Sequence, residues 1–457
     1  MVELFFTIPT YRHREVHKCV DEYLNHFGVY NHQIPIIVFD DSPLDKSKIT
    51  INFLSKVKKE RPSADIRYIG PVEKRKYLSK LSSLNPDPLL PEMLCPSYGG
   101  NRNWILLATL GNYFISVDDD MHPYGIFNRT KKNNSDAVLE GTYTRDLSCF
   151  EKESVDLIAA YTSMIGRRVG DYIASNPNVR AGNHLVDSNM DLALNMTVGE
   201  LKDNQITISP GAINPKAIIK IVQTYLSGDA DIDSKDLIGE FIKSGSEEAL
   251  RGVVPLKYAV NNFKPCIVAE DYRLTGAVLG LDNSDGFICF LPTKLRFEDY
   301  IFRSYSKKPE IHVGYCPAVQ THSRSLANRN NIVKDFVIEE IATVIKKSII
   351  NGVMGISELE IRLAKDPSYD VKELYDIWNQ LAEYLSKMDI TTAHGEAFAD
   401  ALKEEMISTE RAGKFVANFT QRIDEEYSKI RRAIKIWPDM INYASRNPVP
   451  YRRISIS

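Results

Sequence analysis

The chain has 457 residues, 43% hydrophobic and 26% charged, the balance of a soluble globular protein with room for one large domain or two to three ordinary ones. Its net charge of −3 gives no basic field for nucleic acid. No stretch reaches the roughly 20 apolar residues of a membrane span, and the nearest, WILLATLGNYFISV, is interrupted by Gly111, Asn112 and Ser116.

The first residues, MVELFFTIPTYRHR, lack the basic start and small-residue cleavage site of a secretory leader. The six cysteines (19, 95, 149, 266, 289 and 316) include no CxxC pair and suit reduced thiols. A cytoplasmic location is therefore expected.

ELFFTIPTY reads as a buried strand that Pro9 brings to an end. REVHKCVDEYLNHFGV follows with Val16, Val20, Tyr23, Leu24 and Phe27 at helical spacing, and Gly28 is placed to stop it. IPIIVFDD is a continuous apolar run closed by Asp40 and Asp41, as in a parallel strand buried on both faces. INFLSKVKKE predicts a helix and DIRYIG a third strand. An extended Pro-containing segment, 71–100, precedes a helix through GGNRNWILLATLG. NYFISVDDD then gives a fourth strand closed by Asp118, Asp119 and Asp120. This alternation predicts a doubly wound, mostly parallel sheet flanked by helices.

Beyond it, helices are expected near 151–175 and 214–226. Strands return in CIVAEDY, GFICFLP and EIHVGYCPAVQTH. From about 327 three stripes predict a helical C-terminal domain: Val333 to Val344, Leu374 to Leu385, and Phe415, Phe419, Ile423, Tyr427 and Ile430. Such a tail could serve self-association, although the same stripes describe ordinary core packing.

In open sheets of this kind ligands bind beyond the carboxyl ends of the strands. Both acidic clusters stand there. Three adjacent carboxylates repel one another. They suit a hard divalent cation, Mg²⁺ or Mn²⁺, but equally an acidic turn or helix cap.

Taken together, the motifs resemble those of the family-2-like glycosyltransferases with the GT-A fold. The resemblance rests on Pro9-Thr10-Tyr11 with Arg12, Asp40-Asp41-Ser42, Arg102-Asn103, Gly111-Asn112-Tyr113 and Asp118-Asp119-Asp120, in that order. It extends to Glu298-Asp299 followed by a strand and His322. It implies a GT-A domain over 1–326. A donor-binding half spans 1–125, an insert about 128–262, and an acceptor half about 263–326. A helical C-terminal domain at 327–457 lies outside the match, as does the insert.

The resemblance further implies a nucleoside-diphosphate sugar donor, most simply a UDP-sugar, and Mn²⁺ or Mg²⁺ on Asp120 and His322. Asp118 would lie near ribose and metal. Tyr11 would stack on the base, after Pro9, and Asp40 or Asp41 would accept its N–H. Arg102 would face the phosphates. Asp299 would be the catalytic base of an inverting transfer, assisted by Glu298. Glu270-Asp271 is a competing acidic pair, and Arg324 a competing diphosphate ligand. Tyr11 could instead be a core aromatic and Arg102 a surface ion pair. The acceptor is unspecified.

Three rivals stand beside this reading. A retaining transferase would share the aspartates and the histidine. A nucleotidyltransferase would carry a Gly-rich loop after the first strand, and TIPTYRHREV has no glycine. A non-catalytic nucleotide-sugar-binding scaffold would have lost the base or the metal motif.

Overall fold

A computed structural model describes residues 2–128, 138–139, 150–176, 179–182, 214–228, 258–259, 267–269, 274–291, 294, 298–306, 310–323 and 412–456. Four parallel strands form the N-terminal half: β1 (Leu4–Thr10), β2 (Ile36–Asp40), β3 (Ile66–Ile69) and β4 (Tyr113–Val117), in the spatial order 3-2-1-4. All five residues of β2 are buried, as a strand covered on both faces requires. The crossovers are helical: α1 (Val16–Val29), α2 (Leu44–Glu60) and α3 (Pro71–Leu84), then the short α4 (Leu90–Met93) and α5 (Tyr98–Ala108). The segment at 71–100 is thus largely helical. Pro71 stands in the first turn of α3, where its missing N–H costs nothing, and Glu73 reaches back to the N–H of Gly70.

After β4 come β5 (Met121–His122), β6 (Gly125–Asn128), β7 (Val138–Leu139) and β8 (Phe150–Glu153), then α6 (Leu157–Thr162) and α7 (Val169–Ser175). The predicted helix at 151–175 is therefore two short helices preceded by a strand. β6 and β8 pair as a separate two-stranded sheet; the rest of the main sheet is β9 (Arg180–Gly182), β10 (Ile218–Gly228), β11 (Tyr258–Ala259), β12 (Ile267–Ala269), β13 (Val278–Asp282) and β14 (Ile311–His322). Between β13 and β14 lies α8 (Glu298–Ser306).

The sheet is mixed, not uniformly parallel. β13 runs antiparallel to both β4 and β10, and β14 then lies parallel to β10. Two further expectations fail. The predicted helix at 214–226 is the long strand β10. Its apolar residues fall near helical spacing, but Ile218, Ile219, Ile221, Val222 and Thr224 are β-branched, and the strand is covered on both faces. The described residues of GFICFLP, 286–291, form no strand. Phe287 and Phe290 instead pack on Phe302 of α8, with ring centroids 5.6 and 4.0 Å away.

The chain ends in a long helix, α9 (Ala412–Arg446), and a two-residue strand, β15 (Arg452–Arg453), that pairs antiparallel with β3. Ile430, Ala433, Trp437, Met440 and Ala444 are buried at helical spacing. Trp437 Nε1 donates to the Phe287 carbonyl at 2.6 Å. The stripes at 333–344 and 374–385 lie outside the described residues.

Candidate functional site

The carboxyl ends of β1, β4 and β14 meet at one edge of the sheet. β5 turns straight out of the triple aspartate and pairs with the end of β14, Met121 opposite His322. The Ser323 N–H donates to the Asp120 carbonyl at 3.0 Å. His322 Nε2 thereby comes to 3.4 Å from Asp120 Oδ1. Gly228 of β10 faces His322 in register, with φ of +97°. A Cβ there would collide with the His322 carbonyl, so only glycine admits this approach.

Arg12, just beyond β1, closes the cluster from the other side. Its Nη1 lies 2.8 Å from Asp120 Oδ2 and 3.1 Å from Asp119 Oδ1. Thr10 Oγ1 donates to the other oxygen of Asp119. Burial raises Asp119 to about 7, opposed by Arg12 and reinforced by Asp120. Burial also pushes Asp120 upward, but His322 and Arg12 outweigh it and hold its carboxyl below the ordinary range. The pair thus divides its labour: Asp120 stays ionised and Asp119 holds a proton more readily.

A second knot joins this edge to α8. Arg102 is buried, so it is no surface ion pair. Its Nη2 lies 3.1 Å from Asp118 Oδ1, its Nε 3.1 Å from Glu298 Oε1, and its Nη1 donates to the Gly276 carbonyl at 2.9 Å. The Gly276 N–H donates to Asp299 Oδ2 at 2.8 Å. One guanidinium and one peptide unit therefore bind the Asp118 end of the triple aspartate to Glu298-Asp299. Burial raises Glu298 to about 7, helped by the charge of Asp299 and opposed by Arg102.

The acids that close β2 lie beside the end of β1, where the Asp41 N–H donates to the Thr10 carbonyl at 2.8 Å. Asp40 is fully buried; Ser42 donates to one of its oxygens and Tyr68 to the other, the latter at 2.8 Å. Asp41 pairs with Lys74 Nζ at 2.5 Å and accepts from the Ser97 N–H at 3.3 Å. Burial raises the Asp41 carboxyl, with Lys74 opposing. Pro9 stays within β1, in register with Phe39. Tyr11 is 65% exposed at the rim, so it is not a core aromatic.

Arg12, Lys74 and Gly276 are the residues whose roles the sequence did not announce. Arg12 follows Pro-Thr-Tyr directly, and Lys74 opens the helix after β3. Those positions were the available signals. Glu270, Asp271 and Arg324 lie outside the described residues.

No family model matches the chain, and no curated protein matches it in sequence. Two solved structures bear a weak likeness. One is S. aureus TarS 1–349 in complex with UDP-GlcNAc, at 11% identity and a TM-score of 0.31, over 96% of this chain and 92% of that one. The other is the mannosyltransferase PcManGT from Pyrobaculum calidifontis in complex with GDP-Man and Mn²⁺, at 10% identity and a TM-score of 0.30, over 98% and 87%. Scores this low decide nothing about the chemistry of this chain, which must come from its own residues.

Proposed function

We propose that the chain is a GT-A glycosyltransferase that moves a sugar from a nucleoside-diphosphate donor, most simply a UDP-sugar, to an acceptor hydroxyl with inversion. The observation that carries this reading is the bridge made by Arg102 between Asp118 and Glu298, a contact 196 residues long on the Glu298 side. It puts an acidic strand end suited to a cation and diphosphate beside an acid pair suited to general-base work.

The donor set fits a divalent cation. Asp120 offers an ionised carboxylate, which suits Mn²⁺ or Mg²⁺, and His322 an imidazole, a donor that the oxygen-seeking Mg²⁺ accepts less readily than a transition metal such as Mn²⁺. Their 3.4 Å separation is near the ~3 Å between adjacent ligands on one octahedral ion. Among the described residues no three His, Cys, Asp or Glu side chains gather as a cage. The protein would supply two ligands and leave the remaining positions to water and phosphate, as is common for Mg²⁺. A cation bound there supplies positive charge opposite a departing diphosphate.

This chain's residues do the rest. Arg102, anchored on three sides, keeps Asp118 beside the diphosphate. Tyr11 offers an open ring for the base. Asp40 and Asp41 both have their two oxygens engaged within the fold, but Asp40 is fully buried and Asp41 is only partly so, and base recognition falls to Asp41 with Lys74. Asp299 takes the proton of the acceptor hydroxyl as its oxygen bonds to the anomeric carbon and the bond to the diphosphate breaks. Glu298 holds Arg102 in register with that base.

Calorimetric titration with UDP, GDP, ADP, CMP and dTDP, with and without Mn²⁺, tests the reading. One nucleotide binding only with metal is the expected result. No binding under either condition would reduce the aspartates to an acidic turn.

A further inference from the structure

Residues 429–457 hold seven Lys or Arg against a single Asp, in a chain whose net charge is −3. Lys429 pairs with Glu92 and Glu426 and Arg432 with Asp87, and the fold gathers part of the remaining charge on one face. Tyr77 of α3 donates its hydroxyl to the Asn447 carbonyl at 3.0 Å, and Arg452 Nε lies 3.5 Å from Glu73 Oε1 at the start of α3. The segment after α9 therefore runs back along α3. Lys76, Lys80, Arg446 and Arg452 are all exposed on these neighbouring elements.

Between α3 and the end of α9 lies a groove of about 660 Å³. Leu81, Leu84, Met440 and Tyr443 line it, with Asp439 and Arg446 among its polar walls. Leu84 is 70% exposed at its edge, and Tyr451 is exposed on the returning segment. Basic groups around the protruding Leu84 and Tyr451, beside a groove of mixed polar and apolar lining, form the pattern of a surface that meets anionic lipid. Nucleic acid would use the charge but not the protruding Leu84. Glu73 and Asp439 are the acids on this face, and Glu73 is met by Arg452.

We propose that the α3–α9 face docks the protein on an anionic membrane surface, with Lys76, Lys80 and Arg446 against the headgroups and Leu84 at the apolar boundary. No helix among the described residues is long and apolar enough to cross a membrane, so this contact would be peripheral. The inference stands on the surface alone and does not depend on glycosyl transfer.

Flotation of the full chain with phosphatidylcholine vesicles, with and without phosphatidylglycerol, is the test. Binding only to the anionic vesicles, released by high salt, is expected. Lys76→Glu with Lys80→Glu should weaken partitioning by about tenfold or more, and Arg446→Glu should weaken it separately. Leu84→Ser should weaken it at low salt with every charge in place. These residues are exposed and outside the candidate site, so unfolding and nucleotide binding should not change. Absence from anionic vesicles, equal flotation with neutral vesicles, or indifference to all of these substitutions would overturn the proposal. So would a single-stranded oligonucleotide binding at the same salt while vesicles do not.

Discussion

The Arg12 guanidinium lies 2.8 Å from Asp120 Oδ2, on the carboxylate whose other oxygen is 3.4 Å from His322. Arg12 therefore holds an internal positive charge where a divalent cation would bind. A cation arriving at Asp120 must compete with it. Arg12→Ala should strengthen Mn²⁺ binding by about tenfold, since a charge-assisted hydrogen bond is worth about 1.5–3 kcal/mol and part of that returns as repulsion between Asp119 and Asp120. Titration of Mn²⁺ followed by its paramagnetic resonance signal reads this without any turnover. Equal or weaker binding in the variant would mean that Arg12 assists the cation.

The two acid clusters should separate in function. Asp120→Ala should abolish metal-dependent donor binding. Asp299→Asn should leave donor binding nearly intact and lower turnover by about 10²–10⁴, the usual contribution of a positioned base. Calorimetry and a donor-consumption assay measure the two effects. Full activity in Asp299→Asn would remove the base assignment, and Asp271 would be the next acid to replace.

Local patterning made the first half of the fold readable. β1 to β4 with α1, α2 and α5 announce themselves by an apolar run or a helical stripe, α3 and α4 in the Pro-containing 71–100 segment do not, and the acids at the strand ends follow from the chain itself. β10 looks helical in sequence because a strand buried on both faces carries no alternation, and its isoleucines fall near helical spacing by chance. The charge partners were not readable at all. Arg102 reaches Asp118, Glu298 and Gly276 only because β13 turns antiparallel beside β4. Lys74 reaches Asp41 only because α3 begins at the same sheet edge as the end of β2. Neighbours of that kind depend on topology, and no local window contains it.

Gly276 tests the knot directly. A Cβ there would lie 2.5 Å from Arg102 Nη2 and 2.7 Å from its Cζ. Arg102 is buried and tied on three sides, so it cannot move without giving up a partner. Gly276→Ala should destabilise the fold by about 1–3 kcal/mol, as overpacking of a filled site does, and weaken donor binding at the same time. Urea denaturation and nucleotide titration would measure the two. Unchanged stability with unchanged binding would show that Arg102 has room to shift.

His26 gives the fold a pH dependence with a definite sign. It is buried beneath the 150–157 segment. The Leu157 N–H donates to its Nε2 at 3.3 Å, so that nitrogen is unprotonated. Ser154 Oγ donates to the Pro123 carbonyl at 3.0 Å and accepts from His26 Nδ1 at 3.1 Å, which fixes the tautomer. Burial lowers the ring to about 4 from 6.5, with Asp156 opposing and His32 adding to the shift. Between those values the unfolded chain binds the proton and the folded chain does not. Stability from this group is therefore intact above pH 6.5 and drains away as pH falls toward about 4. His26→Gln keeps an acceptor for the Leu157 N–H but cannot titrate. Its unfolding free energy should fall less steeply than the wild type's across that window, measured by urea denaturation at a series of pH values. Parallel profiles would mean that His26 takes up its proton equally well in the folded state.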